Sequence, residues 1–353
     1  MRIGGTMSAA LGLMASLTAP PSSHAGTPAT EINLAHGQVQ DPETDPAAAA
    51  AAEFKRQAEA LTGGTIRVNI FPGEQVGGNR DMTQFVGSGV IQSALVTVGG
   101  IDEKYPLIAV ALTPFAMPSI EMALAVYDGE FGRRLAADIE SRTGLMILGF
   151  VDTGSFYVLT NSQKPVRSPR DLAGLKMRTI PGIRILNHMM EGFGAQVVGV
   201  SSSQEFDAMA VGVIDGDSNP LATVLSRHYD QVQKYATLAD ALYAPYVWVF
   251  NRQAFDELTD EQRGAVRQAA AAAITRGHVV GRAHGDSKEA LGLLGQRLNV
   301  VALSAAERRS WCLAARPVVV EALEKALDGE GRARLEALLA AARGAETKAE
   351  DCP

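Results

Sequence analysis

Cysteine is almost missing: the 353 residues hold two, Cys312 and Cys352. Neither has a second cysteine or a histidine at metal-ligand spacing. The six histidines (His24, His36, His188, His228, His278 and His284) are scattered and form no HExxH-type cluster. Excess positive charge is absent too. The net charge is -7, so the chain has no basic footprint for nucleic acid. Aromatic residues are few, at 6%. No GxGxxG opens a helix after a strand and no P-loop is present, which removes the usual nucleotide signals. The pair Gly77-Gly78 reads as a turn before a helix. Long apolar runs are lacking as well. The longest candidate, Met7–Leu17, falls short of the ~20 residues that a membrane span needs.

That short run has the marks of an export signal. Arg2 supplies a positive start, and Ser23-His24-Ala25 offers small residues where a signal peptidase cuts. Residues 1–25 are expected to be a signal peptide cleaved after about Ala25, giving a periplasmic protein. The alternative is an N-terminal membrane anchor. No cysteine lies near Ala25, which disfavours a lipid anchor. In an exported chain Cys312 and Cys352 either pair and tie down the tail or remain one buried thiol and one loose thiol.

What the sequence does have is 46% hydrophobic residues and 35 glycines. This suits one large or two medium α/β domains. Ile32–Ala35 reads as a strand. Asp45-Pro46 starts a helix through an alanine-rich run that ends at Thr62-Gly63-Gly64. Thr65–Phe71 alternates as a strand, Arg80–Gly87 is a helix and Ala94–Val98 a strand. The series is βαβαβ, the start of a parallel sheet. Leu145–Val151 is another buried strand. A second unit at 156–243 holds strands at Phe156–Thr160, Lys176–Thr179 and Gln196–Val200. Its helices are Ile183–Phe193 and one capped by Ser203 that runs to about Val211. Tyr246–Asn251 resumes a strand of the first kind. Thr259–Leu298 reads as one helix opened by a capping box at Thr259 and Gln262. It would span both units unless Gly277, Gly281 or Gly285 interrupts it. Ser304–Leu327 and Arg332–Arg343 read as two more helices.

One residue stands out for chemistry. Arg178 lies at the end of a strand, just before Pro181-Gly182, where ligands bind in open α/β sheets. Its partner is either an acid in the fold, with Asp171 and Glu191 nearby in sequence, or an anion from outside that its fork grips in bidentate fashion. The stretch Gly212–Val224 adds Asn219-Pro220, read as a helix start with an amide near its N-terminus. A rival reading takes Gly216-Asp217-Ser218 as an esterase nucleophile loop with His228 as base. The same tripeptide recurs at Gly285-Asp286-Ser287, which weakens it.

Together these pieces resemble the solute-binding proteins of tripartite ATP-independent periplasmic (TRAP) transporters. The likeness rests on INLAH, TGGTIRVNIFPGEQVGGNRDM, PRDLAGLKMRTIPG, FGAQVVGV, GVIDGDSNPL and YDQVQKYATL…YAPYVWVFN, in that order. It implies an α/β, two-domain periplasmic binding protein of the class II kind, with crossing hinge strands and a long domain-spanning helix. The domains would be 26–154 plus 245–284, and 155–244 plus 285–353. It implies capture, not catalysis: no catalytic residue, no cofactor and no metal. Arg178 would clamp a carboxylate, with Asn219 lining the cleft. Tyr157 stands where a second, often basic, ligand residue is frequent, and Ser202 where a phenylalanine is frequent. Gln38, Asn79, Thr97 and Tyr243 would also approach the cleft. Lacking a second cation, the site should prefer a monocarboxylate with hydroxyl, keto or ring groups over a compact dicarboxylate. The expected partners are that solute and the TRAP membrane permease, driven by an ion gradient. A homodimer through the C-terminal helices is left open. The competing classes are a sensor on the same fold and a secreted hydrolase.

Overall fold

The computed structural model describes residues 1, 29–180, 184–285, 287–327 and 329–343. The export signal with its cut after Ala25, the Pro181-Gly182 break, Ile183 as a helix start, Asp286 of the repeated tripeptide and Cys352 lie outside these residues.

The first sheet begins as the alternation predicted. β1 (Thr30–His36), α1 (Pro46–Leu61), β2 (Ile66–Phe71), α2 (Asn79–Ser88) and β3 (Ser93–Val96) follow in order. β2 and β3 flank β1, both parallel to it. Next come α3 (Val98–Ile101), a 3₁₀ turn at Pro106–Leu112, α4 (Ile120–Asp128), α5 (Glu130–Thr143) and β4 (Met146–Val151). The chain then leaves for a second sheet, built from β5 (Tyr157–Asn161), β6 (Lys176–Thr179), α6 (Arg184–Gly192), β7 (Gln196–Gly199), α7 (Glu205–Ala210), β8 (Gly216–Pro220), α8 (Leu221–Ser226) and β9 (Tyr235–Leu238). It returns as β10 (Tyr246–Phe250), antiparallel to both β3 and β4. The strand orders are β2-β1-β3-β10-β4 and, with β11 (Asn299–Ala302), β11-β9-β5-β8-β6-β7.

The tail of the chain adds α9 (Arg252–Asp256), α10 (Asp260–His284), α11 (Lys288–Arg297), α12 (Ala305–Leu327) and α13 (Glu330–Arg343). The expected single helix over 259–298 is therefore two. The capping box is present: Thr259 Oγ1 accepts from Gln262 N and Gln262 Oε1 from Thr259 N. The helix stops at Gly285 because the crossing chain lies there. A Cβ on Gly285 would meet the Gly154 carbonyl oxygen at 1.7 Å. Ser287 then caps α11. At 1.5 Å per residue α10 is about 37 Å long. The alanine run of α1 also gains a tertiary reason. Its buried Ala47–Ala51 give α10 a smooth face, and a Cβ on Gly277 would sit 3.1 Å from the Pro46 carbonyl.

Residues 152–156 and 239–245 are two of the crossings between the sheets. Asp152, fully buried, ties them together. Its Oδ1 accepts from the Tyr243 hydroxyl at 3.0 Å and from Gly154 N at 2.8 Å, and Oδ2 accepts from Arg282 at 3.1 Å. The second domain was expected to run to residue 353. The helices are shared differently: α12 packs on α6 and on the 106–112 turn, and α13 packs on that turn, α4 and α5. The stretch Gly216–Pro220 is strand β8, where a turn was expected at Gly216, and the helix expected at Asn219-Pro220 opens directly after it as α8, with Pro220 at its N-cap. β8 pairs antiparallel with β5 and touches β6 at Met177. Among the described residues no helix is long and apolar enough to cross a membrane.

Asp45 caps α1 through Ala48 N at 2.9 Å. Burial pushes its carboxyl up to about 6, against the hydrogen bonds and the Arg227 charge that favour ionisation. The ordinary value is about 3.9. The folded state thus disfavours the charged form. That penalty is fully present above pH 6 and fades as the pH falls toward 4, where both states are neutral. Asp45→Asn keeps a good cap and removes the charge. It should gain about 1–3 kcal/mol of stability at pH 8 and nothing at pH 4. Urea titrations at the two pH values check this, and an equal difference at both would rule it out.

Candidate functional site

A cavity lies between the sheets, under the crossings. Of the residues expected at a cleft, Gln38, Asn79, Thr97, Tyr157, Arg178, Ser202 and Asn219 all line it. Tyr243 does not. It is 3% exposed, and its hydroxyl donates to Asp152 at the hinge. Tyr246, three residues on, takes a place in the wall.

The first-sheet wall is a set of strand ends and helix starts. Gln38 follows β1 and donates from Nε2 to the Tyr246 hydroxyl at 2.6 Å. Asn79 opens α2. Its Oδ1 accepts from Thr97 N at 2.8 Å and its Nδ2 faces Glu74 Oε1 at 3.4 Å. Thr97 caps α3 by position, yet its hydroxyl makes no cap bond.

The second-sheet wall centres on Arg178, which is 5% exposed. Its Nε donates to the Val200 carbonyl at 2.9 Å and its Nη2 to Ser202 Oγ at 3.2 Å. Neither Asp171 nor Glu191 is its partner. Asp171 accepts from Ser168 N at 2.7 Å, and Glu191 sits by His188. Nor is the charge left vacant, as a simple clamp would require. Arg178 Nη1 lies 3.6 Å from Glu205 Oε2 and 3.8 Å from Asp217 Oδ2. Both acids are as buried as the arginine. Asn219 is drawn into this group: Nδ2 donates to Glu205 Oε1 at 2.7 Å and to Asp217 Oδ2. The Tyr229 hydroxyl donates to Glu205 Oε2 at 2.8 Å, and burial together with that carboxylate pushes its pKa well up. Burial pushes the Tyr157 hydroxyl up to about 12, with Arg178 pulling the other way. It is therefore a neutral hydroxyl at pH 7, half-buried at the cavity wall.

A second guanidinium, unread in the sequence, also lines the cavity. Arg227 ends α8, one helical turn after Thr223, which shares the wall. Its Nη1 donates to the Ser202 carbonyl at 2.8 Å and its Nη2 to the Gly37 carbonyl, just after β1 of the other sheet. It forms no ion pair among the described residues. The i, i+4 spacing of Thr223 and Arg227 after Asn219-Pro220 was the available signal.

The cavity also gathers polar atoms that are buried without a partner: Gln38 Oε1, Glu74 Oε2, Thr97 Oγ1, Thr179 Oγ1 and Arg227 Nε. Such atoms usually find a partner in a folded protein. The esterase reading gains nothing. Ser218 faces the cavity from β8, but His228 is exposed and no hydrogen bond joins the two among the described residues.

The family model for bacterial extracellular solute-binding proteins, family 7, matches residues 36–326. A solute-binding protein of Verminephrobacter eiseniae is 31% identical over 69% of this chain and 71% of its own length. The C4-dicarboxylate-binding periplasmic protein of Rhodobacter capsulatus is 27% identical over 92% of this chain and 94% of its own. In structure, the sugar acid binding protein of Advenella mimigardefordensis, solved with galactonate, matches with a TM-score of 0.82. It is 25% identical, and the match covers 90% of this chain and 99% of that one.

Proposed function

Because the chain belongs to family 7 of the bacterial extracellular solute-binding proteins, the receptors of TRAP transporters, we propose that it holds a small organic acid in the cavity between its sheets and hands it to a membrane permease. It would do so in the periplasm, after removal of the leader at about Ala25. The observation that carries this reading is the set of unpartnered polar atoms around two guanidiniums in the cavity between the sheets. Left unmet, each such atom costs about 1–3 kcal/mol. A carboxylate would accept from Arg227 and the outer edge of Arg178. Hydroxyl or N–H groups on the solute would donate to Gln38 Oε1 and Glu74 Oε2.

The charges narrow the solute further. Arg178 is offset by Glu205 and Asp217 in direct contact, so Arg227, which has no ion pair among the described residues and acts on Asp45 only at longer range, supplies the more available positive charge. One such charge suits one carboxylate. The earlier expectation of a single cation is thus amended to two, while the preference for a monocarboxylate stands on the acids beside Arg178. Arg227 also reaches across to Gly37, and an anion that fixes the guanidinium favours the closed form. A ligand shifts that balance only through its differential affinity for the two forms.

A thermal-shift screen of small organic acids, followed by calorimetry, tests the proposal. A bound acid at 100 times its Kd should add about 2.7 kcal/mol of stability. We expect at least one monocarboxylate to bind more tightly than succinate or malate. Tight binding of those dicarboxylates, with every monocarboxylate weak, would overturn the charge argument.

A further inference from the structure

The polar groups do not account for the apolar part of the cavity wall. Arg178 reaches Val200 and Ser202. The same cavity is also lined by Met189, Met190 and Phe193 from α6 and its end, Trp311 and Ala315 from α12, and Leu242 from a crossing. None of the six carries a charge. All are at most 8% exposed.

Protein interiors close to near-crystalline density, yet these side chains border open space. The α6 positions Leu186, Met189, Met190 and Phe193 follow the i, i+3, i+4, i+7 stripe by which a helix meets a core. Here that stripe lines the cavity. Phe193 and Trp311 meet edge to face at 5.8 Å and brace each other. Ala239 and Ala315 supply little bulk where larger side chains would fill the space. The methionines are adaptable packing surfaces.

The geometry points to a solute with two unlike parts: a carboxylate near Arg227, and an alkyl or aryl body of several carbons against the apolar wall that α6 and α12 present to the cavity. This rests on the carboxylate reading above and narrows it, away from polyhydroxylated acids and toward amphipathic ones. Continuity with the unpartnered polar atoms makes the occupant a ligand that also has a polar head. It argues against a hydrophobic segment of another protein, which would leave Arg227 and Glu74 unmet.

Calorimetry on the purified protein tests it with butanoate, hexanoate, octanoate and 3-phenylpropanoate, set against gluconate and malate. Affinity should climb roughly three- to fourfold for each methylene added until the cavity is full. 3-Phenylpropanoate should exceed gluconate by a factor of about 100. Met190→Gln should lower hexanoate affinity about tenfold and leave butanoate within about threefold. A flat alkanoate series with tight gluconate or malate binding overturns the amphipathic class and leaves the carboxylate reading standing. Failure of every acid to bind overturns both.

Discussion

Arg178→Met should lower the stability of the solute-free protein by about 3–5 kcal/mol. The arginine is not merely exposed to a cleft. It shares its site with Glu205 and Asp217, which are 1% and 2% exposed. Two carboxylates so buried depend on their nearest cation, and the other groups around them do not replace it. Asn219 donates one amide nitrogen to both, and Tyr229 gives one hydroxyl to Glu205. These are neutral donors and satisfy lone pairs, not charge. Removing one member of a buried ionic group leaves the rest uncompensated, whereas replacing the whole group by neutral residues of similar volume is often close to neutral. The combined variant Arg178→Met, Glu205→Gln, Asp217→Asn should therefore recover most of the loss. Urea unfolding of both variants, without solute, measures this. A loss below about 1 kcal/mol in the single variant would show that the acids do not lean on Arg178, and its charge would then be available to a solute in full.

This group of charges marks where the sequence stopped being readable. The first sheet was legible because its signals are local. Alternation marked β2, and Asp45-Pro46 marked the start of α1. Thr259 with Gln262 marked the start of α10. The end of α10 was legible only as a choice among three glycines. The choice falls on Gly285 because of Gly154, which is distant in sequence. β8 was misread for a related reason. Gly-Asp-Ser-Asn-Pro has little strand propensity, and it is a strand because β5 lies along it. The same holds for the site. Gln38, Asn79, Thr97, Tyr157, Ser202 and Asn219 were placed at the cavity by resemblance, and the geometry brings them there. Tyr243 sits one strand-end away, at the hinge, where its ring packs against Tyr127 and Phe156. The acids beside Arg178 had no local signature, and the second guanidinium had only its i, i+4 spacing from Thr223. Charge pairing is a property of the fold, and no spacing in the chain announces it.

Arg227→Met should weaken binding of the best-binding acid by about 2–5 kcal/mol, or roughly 30- to 5000-fold. Arg227 has no carboxylate partner among the described residues, and its Nε is buried and unpartnered at the cavity wall. A solute anion is the group that would complete it. Its two present donations go to the carbonyls of Ser202 and Gly37, one on each side of the cleft. Loss of the side chain therefore removes a charge from the site and a link across it, and both effects act on the closed, occupied form. The solute-free protein should lose little, since neither carbonyl is a charged group left stranded. This separates Arg227→Met from Arg178→Met, whose main cost falls on folding. Arg227→Lys keeps the charge but not the planar fork. An ammonium cannot reach two carbonyls and a carboxylate from the same position, so we expect about a tenfold loss. Because Arg178 and the Nε of Arg227 are buried, raising sodium chloride from 50 to 500 mM should change the wild-type affinity by less than about threefold. Calorimetry on the wild type, the two Arg227 variants and the combined Arg178→Met, Glu205→Gln, Asp217→Asn variant at both salt levels reads all of this. If Arg178→Met in the neutralised background abolishes binding while Arg227→Met leaves it within threefold, the anion sits on Arg178, and the assignment of the two guanidiniums is reversed.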